Sequence, residues 1–420
     1  MKEALAPFKK ALIILGIFLV LFVSVKVIIP VVSNKSTEKS PVISIEAENE
    51  TEYTGTQTIS PEDFTVYEVH ENGGKTELDT EEYEISQTTV NPVGKTTTIT
   101  VSLVEDPDLK CSVDVQVERE KIFGFHCGYP NESDVIAVLY SNGELCFEGE
   151  GDVLQFDEGE FPWQDYDGMD DYPVTAVSFE KGVTPTSMDN WFSNMETLTY
   201  IDEIPASVRS MSYTCSGCTA LTEGPDWSNC TELLNIMSVC EDCISLTSAA
   251  AIPASVRNAV AAFAGCLEMQ TSPDLSGAES LVNAESMFEE CKKLTAISMP
   301  PNVENISYMF AGCINLKEMP QIPDTTQYME GTFENNISLM KLSPIPAGVK
   351  DVTKCLENCG LIEGTFTIDA DPEEYGSFLL DTAVATKVDL TGESKLLNEL
   401  ALTTENGNIT VNGKEPVEEK

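Results

Sequence analysis

Cysteine pairs are the residues of this sequence whose spacing comes closest to a chemical site. Cys215-x2-Cys218 is followed by Cys240-x2-Cys243, and four thiolates in two such pairs could hold a structural zinc ion. The second cysteine of each pair also belongs to a longer column at one position of an internal repeat, continued by Cys266, Cys291, Cys313 and Cys359. We therefore expect buried, reduced and metal-free thiols, because a buried cysteine behaves as a small hydrophobe. Disulfides between neighbouring repeats are the remaining alternative.

Histidines and carboxylates are the other candidates for catalysis. Only His70 and His126 are present, and His126 stands beside Cys127. Adjacent side chains on a strand point to opposite faces, so this dipeptide is a poor nucleophile pair. The acidic stretch at residues 165–171 lacks the spaced ligands and the glycine of an EF-hand, which favours a solvated loop. We expect no enzymatic activity and no cofactor; a carbohydrate-active enzyme with paired carboxylates is the alternative.

An internal repeat supplies the elements that would position any functional residue. Eight anchor positions recur at intervals of 22 to 25 residues: Phe192, Cys215, Cys240, Phe263, Phe288, Phe310, Phe333 and Leu356. Phe378 is a candidate for a ninth anchor. Further columns, three and six residues after each anchor and four and seven before it, keep the same register. Stacked copies bury such columns as ladders, so the pattern predicts a solenoid of about eight repeats over residues 185–364.

Each repeat is expected to contribute a strand that pairs in parallel with its neighbours. Residues 294–299 and 339–342 are extended by residue type and precede a proline. At a rung spacing of about 4.8 Å, eight rungs would span roughly 35 to 40 Å. Side chains that alternate away from the core would form a continuous binding face. The candidate ligand-binding residues are therefore Tyr200, Asp202, Glu223, Ser298, Glu318 and Lys341, with Tyr200 as the best anchor.

Several segments give the repeat a family resemblance. "NISYMFAGCINLKEMPQIP" and "NAESMFEECKKLTAISMPPNV" resemble the BspA-like leucine-rich-repeat proteins of bacterial surfaces. The resemblance implies adhesion, or binding to a protein or glycan of a host or neighbouring cell. It also implies that residues 120–184 are a β-rich leader acting as an amino-terminal cap and that residues 365–420 are a degenerate carboxy-terminal cap and tail. A passive structural spacer is a further alternative.

Residues 41–119 predict a separate β-sandwich. Short alternating or β-branched runs are separated by turn formers such as Asn72-Gly73-Gly74 and Asn91-Pro92. The order of strands and turns in "YTGTQTISPEDFTVYEV" and "TTTITVSLVEDPDLKCSVDVQV" resembles a bacterial immunoglobulin-like domain. That resemblance implies a spacer domain rather than a functional site.

The amino terminus predicts a membrane anchor. Lys2, Lys9 and Lys10 precede an apolar run at residues 11–32 that is long enough to cross a bilayer. The positive-inside rule makes this run a transmembrane signal anchor, with residues 1–10 as a cytoplasmic stub and residues 33–40 as a linker. The remaining domains would then face outward at the cell surface of a single-pass membrane protein. A cleaved signal peptide is the alternative.

Composition limits the partners. The chain has 24 basic against 70 acidic residues and a formal net charge of −46. Such a surface repels phosphate backbones, which argues against nucleic acid as a ligand.

The predicted fold class is multidomain and β-rich, with an N-terminal transmembrane helix, an immunoglobulin-like β-sandwich, and a leucine-rich-repeat solenoid with parallel strands.

Overall fold

The computed structural model describes residues 40–49, 51–53, 58–157, 159–360, 362–382, 384–404 and 407–417. Within these ranges the protein consists of short β-strands joined by turns, two 3-10 helices (Pro61–Asp63 and Glu132–Asp134) and one α-helix, α1 (Leu397–Ala401). The sheets pack around two principal hydrophobic cores, one in the first unit and one that runs through the leader and all the repeats.

The predicted N-terminal transmembrane helix is not supported. Among the described residues, no helix is long and apolar enough to span a bilayer. Crossing the hydrocarbon core takes about 20 helical residues, whereas α1 has five. The segment on which the prediction rested, residues 11–32, lies outside the described residues, as do the expected stub and nearly all of the expected linker. Over the described residues the fold class is corrected accordingly to β-rich with almost no helix.

The first unit contains two three-stranded antiparallel sheets. One consists of β1 (Val42–Asn49), β2 (Phe64–His70) and β3 (Lys75–Glu77). The other consists of β4 (Tyr83–Ile85), β5 (Thr97–Leu103) and β6 (Lys110–Val115). Apolar side chains from both sheets, including Ile45, Val66 and Ile99, share one core. This arrangement is the small β-sandwich that the alternating pattern predicts, and its immunoglobulin-like character stays a prediction.

The leader joins an antiparallel sheet to the solenoid. Its strands are β7 (Lys121–His126), β8 (Gly128–Tyr129), β9 (Val135–Tyr140), β10 (Glu144–Gly149), β11 (Asp152–Val153), β12 (Ala176–Phe179) and β13 (Tyr200–Ile201). The main sheet has the order β13-β12-β10-β9-β7; β7, β9 and β10 are antiparallel, whereas β10, β12 and β13 are parallel. Because β13 already belongs to the first repeat, the leader is continuous with the repeats rather than a separate domain.

One side of each repeat, which we call the turn side, is built around the anchor. The residues two before and two after every anchor have positive φ, for example Asn190 (62°) and Asn194 (58°) around Phe192. This geometry aims four backbone N–H groups at the next repeat. The N–H groups of Ala284, Ser286, Phe288 and Glu290 donate to the carbonyls of Asn305, Ser307, Met309 and Ala311 at 2.7–2.9 Å. The same set of four bonds recurs, in the same direction, between all neighbouring repeats from Phe192 onward.

The cysteine column lies behind this ladder and is a column of hydrogen-bond donors. The Cys218 thiol donates to the carbonyl of the preceding anchor, Phe192, at 3.1 Å, and Cys313 does the same to Phe288. Asn336 and Thr382 occupy the equivalent positions and donate to Phe310 and Leu356. The column is fully buried, as predicted, and all thirteen cysteines of the chain are unbridged. Small size alone does not explain the column, since each member also satisfies a buried carbonyl.

The opposite side of each repeat, which we call the strand side, is joined more sparsely. The pairing is parallel, as predicted, but between residues 223 and 341 it is reduced to the single-residue bridges Glu223↔Ser248, Thr271↔Ala296 and Glu318↔Lys341. Prolines such as Pro300 and Pro344 follow these rungs and lack the N–H that would extend the pairing. The extended strands predicted over residues 294–299 and 339–342 are therefore single bridges.

The array continues past residue 364 in the same core. A parallel sheet forms from β14 (Ile362–Thr367), β15 (Val384–Thr391) and β16 (Ile409–Val411). The N–H of Leu356 donates to the carbonyl of Phe378, which places Phe378 one residue before the ninth anchor. Leu379 is that anchor, since the positive-φ residues Ser377 and Asp381 flank it. Ordered repeat structure thus extends into the segment expected to be a degenerate cap.

Candidate binding groove

A groove lies between the β-sandwich and the strand side of the first repeats. It encloses about 630 Å³. Its sandwich wall includes Gln87, Thr89, Asn91, Thr96 and Thr98. Its solenoid wall consists of Thr199, Tyr200, Thr222 and Glu223. A second cavity of about 410 Å³ shares the solenoid wall and extends it toward carboxylates that include Asp202, Glu203 and Asp226. The volume is in the range of sites that hold small ligands.

A buried carboxylate fixes the sandwich wall against the leader. Glu144 is 1% exposed and accepts hydrogen bonds from the backbone N–H of Gly94 at 2.9 Å and from the hydroxyl of Ser178 at 2.5 Å. It also forms an ion pair with Arg119. The amide of Asn142 donates to the carbonyl of Pro92 at 3.0 Å. Loop 91–97 is therefore held by hydrogen bonds on the leader side, and the groove is present before any ligand arrives.

Tyr200 is the central side chain of the solenoid wall. It is half-buried, and its hydroxyl donates to a carboxylate oxygen of Asp202 at 3.4 Å. Burial raises the pKa of Tyr200 to about 12, so the phenol remains a neutral hydroxyl at ordinary pH. Asp202 in turn forms an ion pair with Lys95 of the sandwich. This pair joins the two walls and neutralises the carboxylate nearest to the tyrosine.

The structure brings together only some of the predicted site residues. Tyr200 and Glu223 line the groove, whereas Asp202, expected to point outward, is 7% exposed because Lys95 covers it. Glu318 and Lys341 form an ion pair with each other at 2.5 Å, five or more rungs from Tyr200 and so about 24 Å or more away.

Ser298 has a structural partner instead of an exposed hydroxyl. Its hydroxyl oxygen accepts a hydrogen bond from the N–H of Leu275 at 3.0 Å, and it donates to Asp274 at 3.3 Å. These bonds hold the turn after one rung against the next. Of the six predicted residues, then, three lie at the groove or beneath its edge, and three lie farther along the strand side.

The sandwich wall was missed by sequence reasoning. The available signal was the run Thr96-Thr97-Thr98, which by its β-branched residue types predicts only part of a strand. No feature of the sequence distinguishes Glu144 from the many other acidic residues, so its burial could not be predicted. Both contributions depend on contacts between distant segments: Glu144 binds Gly94 across a separation of 50 residues, and Lys95 pairs with Asp202 across 107.

The residues considered for catalysis have structural surroundings. The two ring nitrogens of His70 lie 2.9 Å from the carbonyl of Ser40 and 2.8 Å from the hydroxyl of Thr76. His126 is exposed whereas Cys127 is buried, and burial raises the pKa of the Cys127 thiol to about 11, which disfavours a thiolate. Among the described residues, no group of three or more His, Cys, Asp or Glu side chains is placed to hold a metal ion.

The repeats can be compared with known sequences and structures. Residues 261–378 match the family described as the BspA type leucine rich repeat region, in six copies. This part of the chain is similar to the BspA-type leucine-rich repeats. The repeat part of the resemblance inferred from the sequence is thereby confirmed for these residues. The groove lies outside the BspA-type region, on the repeats that precede residue 261. No curated protein matches the chain.

Solved bacterial leucine-rich repeat proteins show weak similarity. One is from Bacteroides ovatus, with 15% identity over 71% of this chain and 99% of that chain and a TM-score of 0.28. Another is from Eubacterium ventriosum, with 12% identity over 66% and 95% of the two chains and a TM-score of 0.24. A leucine rich cell surface protein from Faecalibacterium prausnitzii has 15% identity over 58% and 96%, with a TM-score of 0.19. At these values the similarities support no functional conclusion.

Proposed function

We propose that the protein is a bacterial cell-surface binding protein whose ligand binds in the groove. The observation that carries this proposal is the groove itself, in which two units supply the walls and the buried Glu144 fixes one of them. Side chains that are held in place before binding lose less conformational entropy when the ligand arrives. A passive spacer would have no need of such a preformed cavity.

The repeats supply a second line of support. Stacked rungs present one outward side chain after another on the strand side, which is the usual way in which solenoids build extended binding surfaces. The partner class is a protein or glycan of a host or neighbouring cell, and the net charge of −46 disfavours nucleic acid. Location at the cell surface is part of the proposal and rests on the resemblance of the repeats to bacterial surface proteins.

The test is binding of the fluorescently labelled full chain to a glycan array and to intact epithelial and bacterial cells. Tyr200→Ala should reduce binding by at least about ten-fold, because a half-buried aromatic in a cavity is typical of a binding hot spot. Tyr328→Ala is the matched control, since Tyr328 is a tyrosine on the turn side with 43% exposure. Absence of binding by the unmodified chain, or equal losses in both variants, would contradict the proposal.

A further inference from the structure

The groove differs from the rest of this acidic protein in the chemistry of its lining. Nine of its twelve lining residues carry a neutral hydroxyl or amide, and Glu223 is the one charged side chain among them. Six of the nine are threonines, which present a methyl group beside each hydroxyl. The lining is thus suited to a ligand that alternates C–H and O–H groups over a short distance.

The absence of basic side chains from this lining argues against an anionic ligand. Among the described residues that line the groove there is no Lys, Arg or His, and Glu223 would repel a carboxylate or sulfate. A neutral ligand avoids the large cost of removing a charge from water. Glu223 can accept two hydrogen bonds from neighbouring hydroxyls, and such charge-assisted bonds are about twice as strong as neutral ones.

A peptide would bind such a groove best by pairing with a free strand edge, and the sandwich wall offers side chains instead. Thr89 is already bridged to Thr58, and Thr98 pairs with Asp114 of β6. The hydroxyls of Thr97, Thr98 and Thr199 already form hydrogen bonds within the protein. A drug-like apolar ligand would cover the hydroxyls of Thr96 and Thr222 without giving them partners, which is costly in a partly buried site. A chain of hydroxyl-bearing rings can form hydrogen bonds with the hydroxyls and can pack its C–H groups against the threonine methyl groups.

We propose that the groove binds a neutral oligosaccharide, with the sandwich as one of the two recognition walls. This inference rests on the proposed binding function and names the ligand class of the same site. Tyr200 presents its ring and a hydroxyl oxygen that can accept, because the phenol hydrogen is donated to Asp202; Glu223 accepts, and Thr96 and Thr222 contribute hydroxyls from opposite walls. The sandwich is then part of the site instead of a spacer beneath it.

The experiment is saturation-transfer NMR and calorimetry of the full chain with defined sugars. Maltotriose, cellotriose, laminaritriose and tri-N-acetylchitotriose are the neutral probes, and sialyllactose is the anionic one. At least one neutral probe should bind and sialyllactose should not. Thr96→Val and Thr222→Val should each weaken binding by up to about ten-fold, because each keeps the shape of the side chain and removes one hydroxyl.

Matched controls come from the same structural positions outside the groove. The controls are Thr100→Val and Thr295→Val. Thr100 lies two residues along β5 from Thr98, and Thr295 occupies the repeat position equivalent to Thr222. Both should leave the affinity unchanged, and circular dichroism should show that all four variants are folded. If Thr222→Val alone fails to fold, Thr96→Val still tests the opposite wall.

The outcomes separate this inference from the proposed function. If no neutral trisaccharide binds, or if the control variants lose as much affinity as the groove variants, the oligosaccharide assignment is wrong. If in that case cells or an arrayed ligand of another class still bind in a Tyr200-dependent way, the binding function stands without the sugar. If nothing binds in either experiment, both proposals fail.

Discussion

The turn side and the strand side of the solenoid are built by the same repeat but are joined very differently. On the turn side four backbone hydrogen bonds link each repeat to the next, and the anchor rings Phe263, Phe288 and Phe310 stack at 5.7 and 6.0 Å. On the strand side most neighbouring rungs share a single bridge or none. Cohesion is thus concentrated away from the groove, so strand-side side chains are free to vary without loss of the fold.

Alkaline pH should produce the largest effect, because it acts on many buried thiols of the solenoid at once. Burial raises the pKa of Cys291 to about 12 and those of Cys266 and Cys313 well above their ordinary value. Below about pH 8.5 both states are protonated and stability is unaffected; above it the unfolded chain loses these protons first. Each such thiol then lowers the unfolding free energy by about 1.4 kcal/mol per pH unit.

This expectation is checked by following circular dichroism and thiolate absorbance together as pH rises. The two signals should change in the same step, well above the pKa of an exposed thiol. Thiolates that titrate at about pH 8.5 while the fold stays intact would show that the column is accessible to solvent. Cys111 of the sandwich is only half-buried, so its thiol should ionise before the thiols of the buried column and serves as the internal comparison.

Truncating one core side chain tests whether the turn side contributes more to stability than the strand side. Phe288→Ala removes a fully buried ring that is stacked on both sides, and it should cost about 3 to 5 kcal/mol in urea unfolding. Glu318→Ala on the strand side should change stability by no more than about 0.5 kcal/mol. Comparable losses in the two variants would mean that the strand side carries as much of the cohesion as the turn side.

Asn336 allows a gain of stability to be predicted. Its amide donates to the Phe310 carbonyl at 3.0 Å, but its own oxygen is buried and has no hydrogen-bond partner among the described residues. Asn336→Cys would keep a donor and remove the unsatisfied oxygen, raising stability by about 1 to 2 kcal/mol in the same unfolding assay. The reverse change, Cys313→Asn, should lower it by a similar amount, and a loss in both would refute this account of the column.

The smallest expected effect concerns the exposed pair of Glu318 and Lys341. Their side chains are 63% and 69% exposed although the charged groups lie 2.5 Å apart. A double-mutant cycle with Glu318→Ala and Lys341→Ala should give a coupling energy of about 0.2 to 1 kcal/mol, decreasing with salt. A coupling of several kcal/mol would indicate that the strand side depends on its ion pairs.

The repeat architecture could be predicted because its signal is periodic burial. The anchors and the cysteine column were visible as types that recur at fixed spacing, and they are buried as predicted. The ninth anchor was misplaced by one residue, since Phe378 and Leu379 are both apolar and only the backbone register distinguishes them. A usable signal was overlooked two residues after each anchor, where Gly217, Asp242 and Asn335 belong to a column that needs positive φ.

The candidate site was far less predictable than the fold. Tyr200 and Glu223 could be placed on an outward face from the alternation of their rungs, but a repeat pattern says nothing about a neighbouring unit. Thr96 reaches the groove only because Gly94 and Pro92 are held by Glu144 and Asn142, and those contacts join parts of the chain with unrelated sequence patterns. A site formed between two units can be identified only from the tertiary structure.

Four of the turn-side hydrogen bonds at each interface share one direction and outnumber the bond beside them that runs the opposite way, such as Leu234 N–H to the carbonyl of Arg209, so the solenoid has a net electrical polarity along its axis. Every set of four points its N–H groups toward the carboxy-terminal end, so unpaired carbonyls collect at the first repeat and unpaired donors at the last. The ends are matched to this: the indole of Trp163 donates to the carbonyl of Trp191 at 2.7 Å, and the N–H of Leu379 donates to the hydroxyl of Thr403 at 3.0 Å. Whole repeats can therefore be duplicated or lost during evolution without redesigning either end, but an inverted repeat would set like dipoles against each other.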